Sequence, residues 1–313
     1  MLIRSARRLA PLTVVALLAV PALAHARTPV AVAIADENPA MFDDPAYQAL
    51  HMKRTRYFVP WNAASHPDVL ARAKAFAAAA QTHHVKVLMH ISTDTYTHGK
   101  AKLPSVAAYK RSVGALITQL KPLGVTEWGV WNEENHKSEP TYRSPTRAAQ
   151  FYVAMRGLCP GCTIVALDLL DSGDAPAYAR SFYRALSPAD RARATLVGIH
   201  NYADVNRRRS TGTQGVIDAV RGQNRHASFW FTETGGLVNL PPQWSCSTSR
   251  AAQRTTYMFS LARHFKRAVK RLYIYSWTGT GCNGGFDAGL VDARGKPRPA
   301  YSVVKRSLTS FTR

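Results

Sequence analysis

Eight short apolar runs, each ending in polar or aromatic residues, constrain the fold of this chain more than any other feature. Strands are predicted at 30–35, 55–59, 85–91, 126–132, 163–167, 195–199, 228–232 and 272–276. Helical spacing fills most of the intervals. Pro67 and Asp68 open a helix over 67–82 with Val69, Leu70, Ala73 and Phe76 on one face. Further helices are predicted over 104–120, from Pro145, over 175–186, 213–221 and 249–267, and from Pro299 onward. Eight strands recurring every roughly 25 to 42 residues, with helices between them, have the count and rhythm of an α/β chain folded as a (β/α)8 TIM barrel. A doubly wound open sheet would carry a glycine-rich turn after its first strand. Asp36-Glu37-Asn38-Pro39 is not one.

The first 26 residues read as an export signal. Arg4, Arg7 and Arg8 precede an apolar run from Leu9 to Leu23, and Ala24-His25-Ala26 has the small-x-small pattern of a cleavage site. The run is broken by Pro11 and Pro21 and is short for a bilayer span of ~20 residues. Residues 27–313 are then expected to form one barrel domain, secreted or held at the cell envelope, and monomeric. In that setting the four cysteines, Cys159, Cys162, Cys246 and Cys282, read as two disulfides. Local pairing of Cys159 with Cys162 would leave Cys246 with Cys282, although spacing leaves the connectivity open. In a reducing compartment the same Cys-x-x-Cys would suggest redox chemistry or half a zinc site. The net charge is +22, and still +19 without the three leader arginines. Such a surface suits an acidic glycan, a teichoic-acid-like polymer, a membrane or a nucleic acid, or simply keeps the protein soluble.

A parallel barrel gathers the C-terminal ends of all its strands on one face. Asp36, Glu37, Arg56, Trp61, His90, Asn132, Glu133, Asp168, His200, Tyr202, Glu233 and Trp277 should therefore converge. Carboxylates, amides and aromatic faces together suit a sugar. Glu133 ends the fourth strand and Glu233 the seventh, and two such carboxylates are what glycoside hydrolysis requires. A Gly-x-Ser-x-Gly elbow is absent, as are His-x-x-x-His and EF-hand spacings, so neither metal nor cofactor is expected. Trp128 and Trp230 read as core, Glu127 and Glu139 as surface charges. Trp61, Trp244 and Trp277 follow strand ends and are candidates for stacking on sugars. Arg207-Arg208-Arg209 reads as a solvated loop or, on the active face, as a subsite for an anionic group.

Trp131-Asn132-Glu133-Glu134-Asn135 resembles the W-N-E-P-N signature of clan A glycoside hydrolases. Thr232-Glu233-Thr234-Gly235 resembles that clan's nucleophile strand, and His200-Asn201-Tyr202 its His-x-Tyr on strand six. Arg56 stands where the clan has an arginine on strand two, and Trp277 where strand eight carries a tryptophan. The resemblance spans residues 27–313 and departs from the signature at Glu134, where the clan usually has proline. It implies a retaining enzyme with Glu233 as nucleophile and Glu133 as acid/base, the latter with a raised pKa. Arg56, Trp61, Asn132, His200, Tyr202 and Trp277 would contact the sugar or hold the nucleophile. Two other classes compete: a catalytically silent glycan- or cell-wall-binding barrel, and a basic nucleic-acid-binding protein. Export, the carboxylate-lined cleft and the lack of any nucleic-acid motif argue against the second.

Overall fold

Val30, Val32 and Ile34 alternate with Ala31, Ala33 and Ala35, so one face of the first strand is bulky and the other nearly bare. Period-two segregation of this kind makes a strand with helices outside and a narrow interior inside. The computed structural model describes residues 27–95 and 100–313, and the predicted signal at 1–26 lies outside them. The chain runs through β1 (Thr28–Ala35), α1 (Pro45–Gln48), β2 (Arg54–Pro60), α2 (Pro67–Thr82), β3 (Lys86–Ser92) and α3 (Val106–Leu120). It continues through β4 (Glu127–Gly129), α4 (Pro145–Leu158), β5 (Thr163–Val165), β6 (Leu167–Leu170), α5 (Ala175–Arg184), α6 (Pro188–Arg193) and β7 (Leu196–His200). Then follow α7 (Tyr202–Arg207), α8 (Thr211–Arg221), β8 (Ser228–Thr234), α9 (Thr248–His264), β9 (Val269–Tyr275), α10 (Pro299–Ser307) and β10 (Phe311–Thr312). Proline in the first turn starts α2, α4 and α10, while serine side chains cap α3, α4 and α9.

All paired strands are parallel, in the orders β2-β3-β4-β5 and β6-β7-β8-β9-β1-β10. β5 and β6 are two halves of one stave: the chain breaks step at Ala166, pairing with β4 before it and with β7 after it. At the β1–β2 seam Thr55 Oγ1 donates to the Ile34 carbonyl at 2.7 Å. The staves thus keep the cyclic order of a (β/α)8 barrel, with the backbone ladder interrupted at these two seams. The step at Ala166 also places Asp168 within β6, facing inward, rather than at the end of a strand spanning 163–167.

Among the described residues the core has two main compartments, with a smaller apolar cluster of Tyr202, Leu237 and Ala288 apart from them. Outward-facing side chains of the staves pack with the helices into one large apolar cluster. Inside, Ala33, Leu88, Val165, Trp230 and Tyr273 fill one level of the barrel. Below Trp230 the interior is charged. Glu127, read from sequence as a surface residue, is buried and accepts from Arg271 at 2.6 Å, and that guanidinium lies 3.9 Å from the Trp230 ring. Parity explains the correction, because Glu127 shares its face of β4 with Gly129 rather than with the outward Trp128.

Above the apolar level the interior needs space for large polar groups, and two glycines provide it. A Cβ on Gly129 would overlap the His90 ring, and one on Gly198 would overlap Asp168 and Thr232. Gly198→Ala is therefore expected to destabilise the fold by ~1–3 kcal/mol, the usual cost of overpacking, as read by chemical denaturation; an unchanged midpoint would show that the interior has slack.

Candidate active site

Two residues beyond the apolar level the staves carry His90, Thr232 and Tyr275, and Arg56 enters beside them from β2. Arg56 is fully buried. Its Nε donates to His90 Nδ1 at 3.1 Å and one terminal nitrogen donates to Glu233 Oε2 at 2.7 Å. The other donates to Asn132 Oδ1 and lies 4.0 Å from Asp168 Oδ2. A guanidinium out of water must meet opposite charge and acceptors on every nitrogen, and here it does.

Strict alternation would put Thr232 and Glu233 on opposite faces of β8. The register prevents this: Gly198 pairs with Trp230 but His200 pairs with Glu233, so three steps along β8 match two along β7. This bulge turns both side chains inward. Thr232 Oγ1 donates to Asp168 Oδ1 while Glu233 reaches Arg56. Tyr202, the first residue of α7, donates its hydroxyl to Glu233 Oε1 at 3.0 Å. Burial and the Glu233 charge push the Tyr202 phenol far above its usual range, so it stays a donor.

Glu133 sits at the turn that ends β4, with φ of 44°. A side chain in this left-handed region is strained by ~1–2 kcal/mol, and neighbouring contacts must hold it there. Glu134 supplies them: its N–H donates to the Asp168 carbonyl at 3.0 Å, and its Oε2 accepts from Asp168 N at 2.6 Å. A proline at this position would have no N–H to give. The departure from the clan signature thus becomes a clamp between β4 and β6. Burial and the Asp168 charge keep the Glu134 carboxyl well above the usual range. Glu139 is also buried, which corrects its reading as a surface charge; Trp131 Nε1 donates to it at 2.8 Å and burial pushes it up to about 8.

His200 links the two halves of the site. Its Nε2 lies 2.8 Å from Asp168 Oδ2, and its Nδ1 lies 2.9 Å from Glu133 Oε1 and 3.6 Å from Glu233 Oε2. Burial works against charge on the ring, but the Asp168 and Glu233 carboxylates outweigh it and lift His200 to about 10. His90, also buried and beside Arg56 and His200, is pushed down to about 3 and stays neutral. For Glu133 burial acts upward, yet the hydrogen bond and charge of His200 prevail and the carboxyl falls below its usual value. This reverses the raised Glu133 expected from sequence, because the neighbouring imidazole holds the proton in the resting site.

Asn132, Glu133, Tyr202 and Glu233 line the floor of a cavity of about 790 Å³, and Arg56 and His200 are buried behind them. Phe58, Tyr202, Tyr275 and Phe286 give it aromatic walls, and Trp244 stands at one side. Arg56, Asn132, Glu133, His200, Tyr202 and Glu233 are thus brought together. Trp61 and Trp277 are not. Trp61 shares parity with Tyr57 and Val59, faces outward, and packs against the helix-side core. Trp277 follows the end of β9, where alternation lapses; it is buried, its Nε1 donates to Asp44 at 3.1 Å and its ring meets Tyr47 and Tyr301. Phe58 and Tyr275, which the sequence reading passed over, line the cavity instead. Both share inward parity, with Arg56 and with Tyr273 respectively, and that signal was present in the sequence. Glu37 accepts from the Tyr275 hydroxyl at 3.1 Å, and burial with the Asp36 and Glu233 charges pushes it up to about 8. The cysteines pair as Cys159–Cys162 and Cys246–Cys282, the latter joining the loops after β8 and β9 beside the cavity.

A buried cation with a raised pKa carries a definite pH signature. His200 should contribute stability fully present below pH ~6.5 and lost as pH rises through about 10. Unfolding free energy of the wild type should therefore fall across that window by up to ~1.4 kcal/mol per pH unit more than that of His200→Gln. Parallel pH profiles in urea titrations would contradict the assignment.

No family model and no curated protein matches the chain. Among solved structures it is similar to a psychrophilic glycoside hydrolase family 10 endo-β-1,4-xylanase, with a TM-score of 0.62 and 16% identity over 88% of this chain and 96% of that one. It is also similar to xylanase XynB from Paenibacillus barcinonensis, with a TM-score of 0.64 and 11% identity over 90% of this chain and 98% of that one. A third is GH5_18 from Streptomyces cattleya, with a TM-score of 0.63 and 15% identity over 90% of this chain and 80% of that one. At such identities the likeness concerns architecture, and the architecture is a TIM barrel, the fold these glycoside hydrolases share.

Proposed function

We propose that the protein is an exported retaining glycoside hydrolase that cleaves O-glycosidic bonds of an oligo- or polysaccharide by double displacement. The observation that carries this reading is the placement of Glu133 and Glu233 against the same His200 nitrogen, at 2.9 Å and 3.6 Å. Laid end to end, these contacts reach only the lower limit of the ~6.5–9.5 Å spacing of inverting pairs, which supports the ~5–5.5 Å arrangement of retaining ones. The glycosidase barrels it resembles in fold support the reaction class, as do the aromatic walls of the cavity. The leader-like residues 1–26 and the two disulfides support export; among the described residues no helix is long and apolar enough to cross a membrane.

In this mechanism Arg56 and Tyr202 donate to Glu233 and orient its carboxylate, which attacks the anomeric carbon. The bond to the leaving oxygen breaks as Glu133 delivers a proton. That proton starts on His200 Nδ1; its transfer to Glu133 Oε1 leaves a neutral imidazole whose Nε2–H faces Asp168. Ester formation removes the negative charge of Glu233. Glu133, again an anion, then takes a proton from water and passes it back to His200 Nδ1, while the hydroxide attacks the anomeric carbon and restores Glu233. Asn132, held by Arg56, meets the 2-hydroxyl of the sugar.

Azide separates the two roles. Glu233→Ala should abolish turnover, and azide should restore it with a glycosyl azide of inverted configuration. Glu133→Ala should slow hydrolysis of unactivated substrates by ~10²–10⁴-fold yet spare glycosylation by substrates with good leaving groups, and azide should then give retained configuration. Opposite stereochemistry would exchange the assignments; unchanged hydrolysis in both variants would refute the reading.

A further inference from the structure

One wall of the cavity is cationic. The short helix α7 begins with Tyr202 on the floor and ends at Arg207 on the rim, with Arg209 just beyond; all three line the cavity. Arg207 is exposed and, among the described residues, makes no hydrogen bond or salt bridge. Its guanidinium lies 5.9 Å from the centroid of the Trp244 ring, which lines the same wall. Arg209 gives its Nε to Asp204 Oδ1 at 3.1 Å, and among the described residues its terminal nitrogens have no protein partner.

The wall is well braced. Leu240 and Trp244 exchange backbone hydrogen bonds at 2.9 Å and 2.8 Å. Arg250 donates to the carbonyls of Leu237, Val238 and Ser245, and the Cys246–Cys282 disulfide follows two residues after Trp244. A guanidinium beside an indole on a fixed wall presents planar paired donors, the geometry that suits a carboxylate or sulfate. The next residue, Arg208, lines a separate surface pocket with Arg254 and Tyr257. Along α7 the rise from Tyr202 to Arg207 is ~7.5 Å, so Arg207 lines the same cavity as the glutamates but stands apart from the tyrosine that holds Glu233.

We propose that the substrate is an anionic glycan, and that Arg207 with Arg209 binds the carboxylate or sulfate of a sugar next to the one whose bond is cleaved. This rests on the hydrolase reading and names its substrate class.

The test compares charged oligosaccharides, some bearing uronates and some sulfates, with the same compounds after carboxyl reduction or desulfation. Wild type should favour one charged series by roughly 10- to 100-fold in kcat/KM, and which treatment removes the preference identifies the anion. Arg207→Gln should erase that preference. Arg184→Gln removes the same charge from the exposed end of α5 and should keep it. Equal rates on charged and neutral compounds, or a preference that survives Arg207→Gln, would overturn the subsite while leaving the hydrolase reading intact. If nothing is cleaved, calorimetric binding of the same compounds to the whole protein decides. Binding of the charged series that is lost in Arg207→Gln would keep the subsite and overturn hydrolysis, whereas no binding of any charged compound would overturn the subsite.

Discussion

The buried guanidinium of Arg56 is the constraint on which the upper half of the barrel depends. A fully desolvated cation is tolerable only where anions and acceptors surround it, and those around Arg56 come from β3, β6, β8 and the turn after β4. Each needs its own local device to arrive. Asn132 and Glu133 need a left-handed turn clamped by Glu134, Glu233 needs a bulge in β8, and His90 and Asp168 need the missing side chains of Gly129 and Gly198. These features are otherwise unfavourable, and they are concentrated at one level of one cavity. Local rules are most often broken where function demands it.

The same network determines where charge and protons reside. Three carboxyl groups, those of Asp168, Glu133 and Glu233, meet around the buried imidazole of His200, with Arg56 alongside. Three carboxyl groups face two cations only while the ring is charged, and its hydrogen bond and charge hold Glu133 down rather than up. An acid catalyst that draws its proton from a partner needs no raised pKa of its own in the empty site. It needs the partner's charge to become less favourable when substrate enters and displaces water.

Much of the architecture was legible because it rests on period-two and helical patterns that local sequence carries directly. Strand order and the clustering of polar ends required only that parallel strands share a direction. What could not be read depends on breaks in those periods. The step at Ala166 moved Asp168 from a strand end to a strand interior, and the bulge in β8 gave adjacent Thr232 and Glu233 the same face. The lapse of alternation after Tyr275 sent Trp277 into the helix-side core and left Tyr275 at the cavity. Trp61, Glu127 and Phe58 differ in kind: continued parity along β2 and β4 already indicated their faces, and proximity to a strand end was the weaker guide. Glu139 could not be placed from sequence, since its burial depends on Trp131, eight residues away, turning toward it.

The central claim is that this network presents Glu233 to an anomeric carbon as a nucleophile. Trapping the glycosyl-enzyme tests it most directly. The protein would be incubated with 2-deoxy-2-fluoroglycosyl fluorides matching any sugar it hydrolyses, then digested and mapped by mass. A single adduct on the peptide carrying Glu233, formed as activity is lost, is the expected result. Labelling of Glu133 instead, or hydrolysis of the parent sugar with no adduct from its fluorinated analogue, would contradict it.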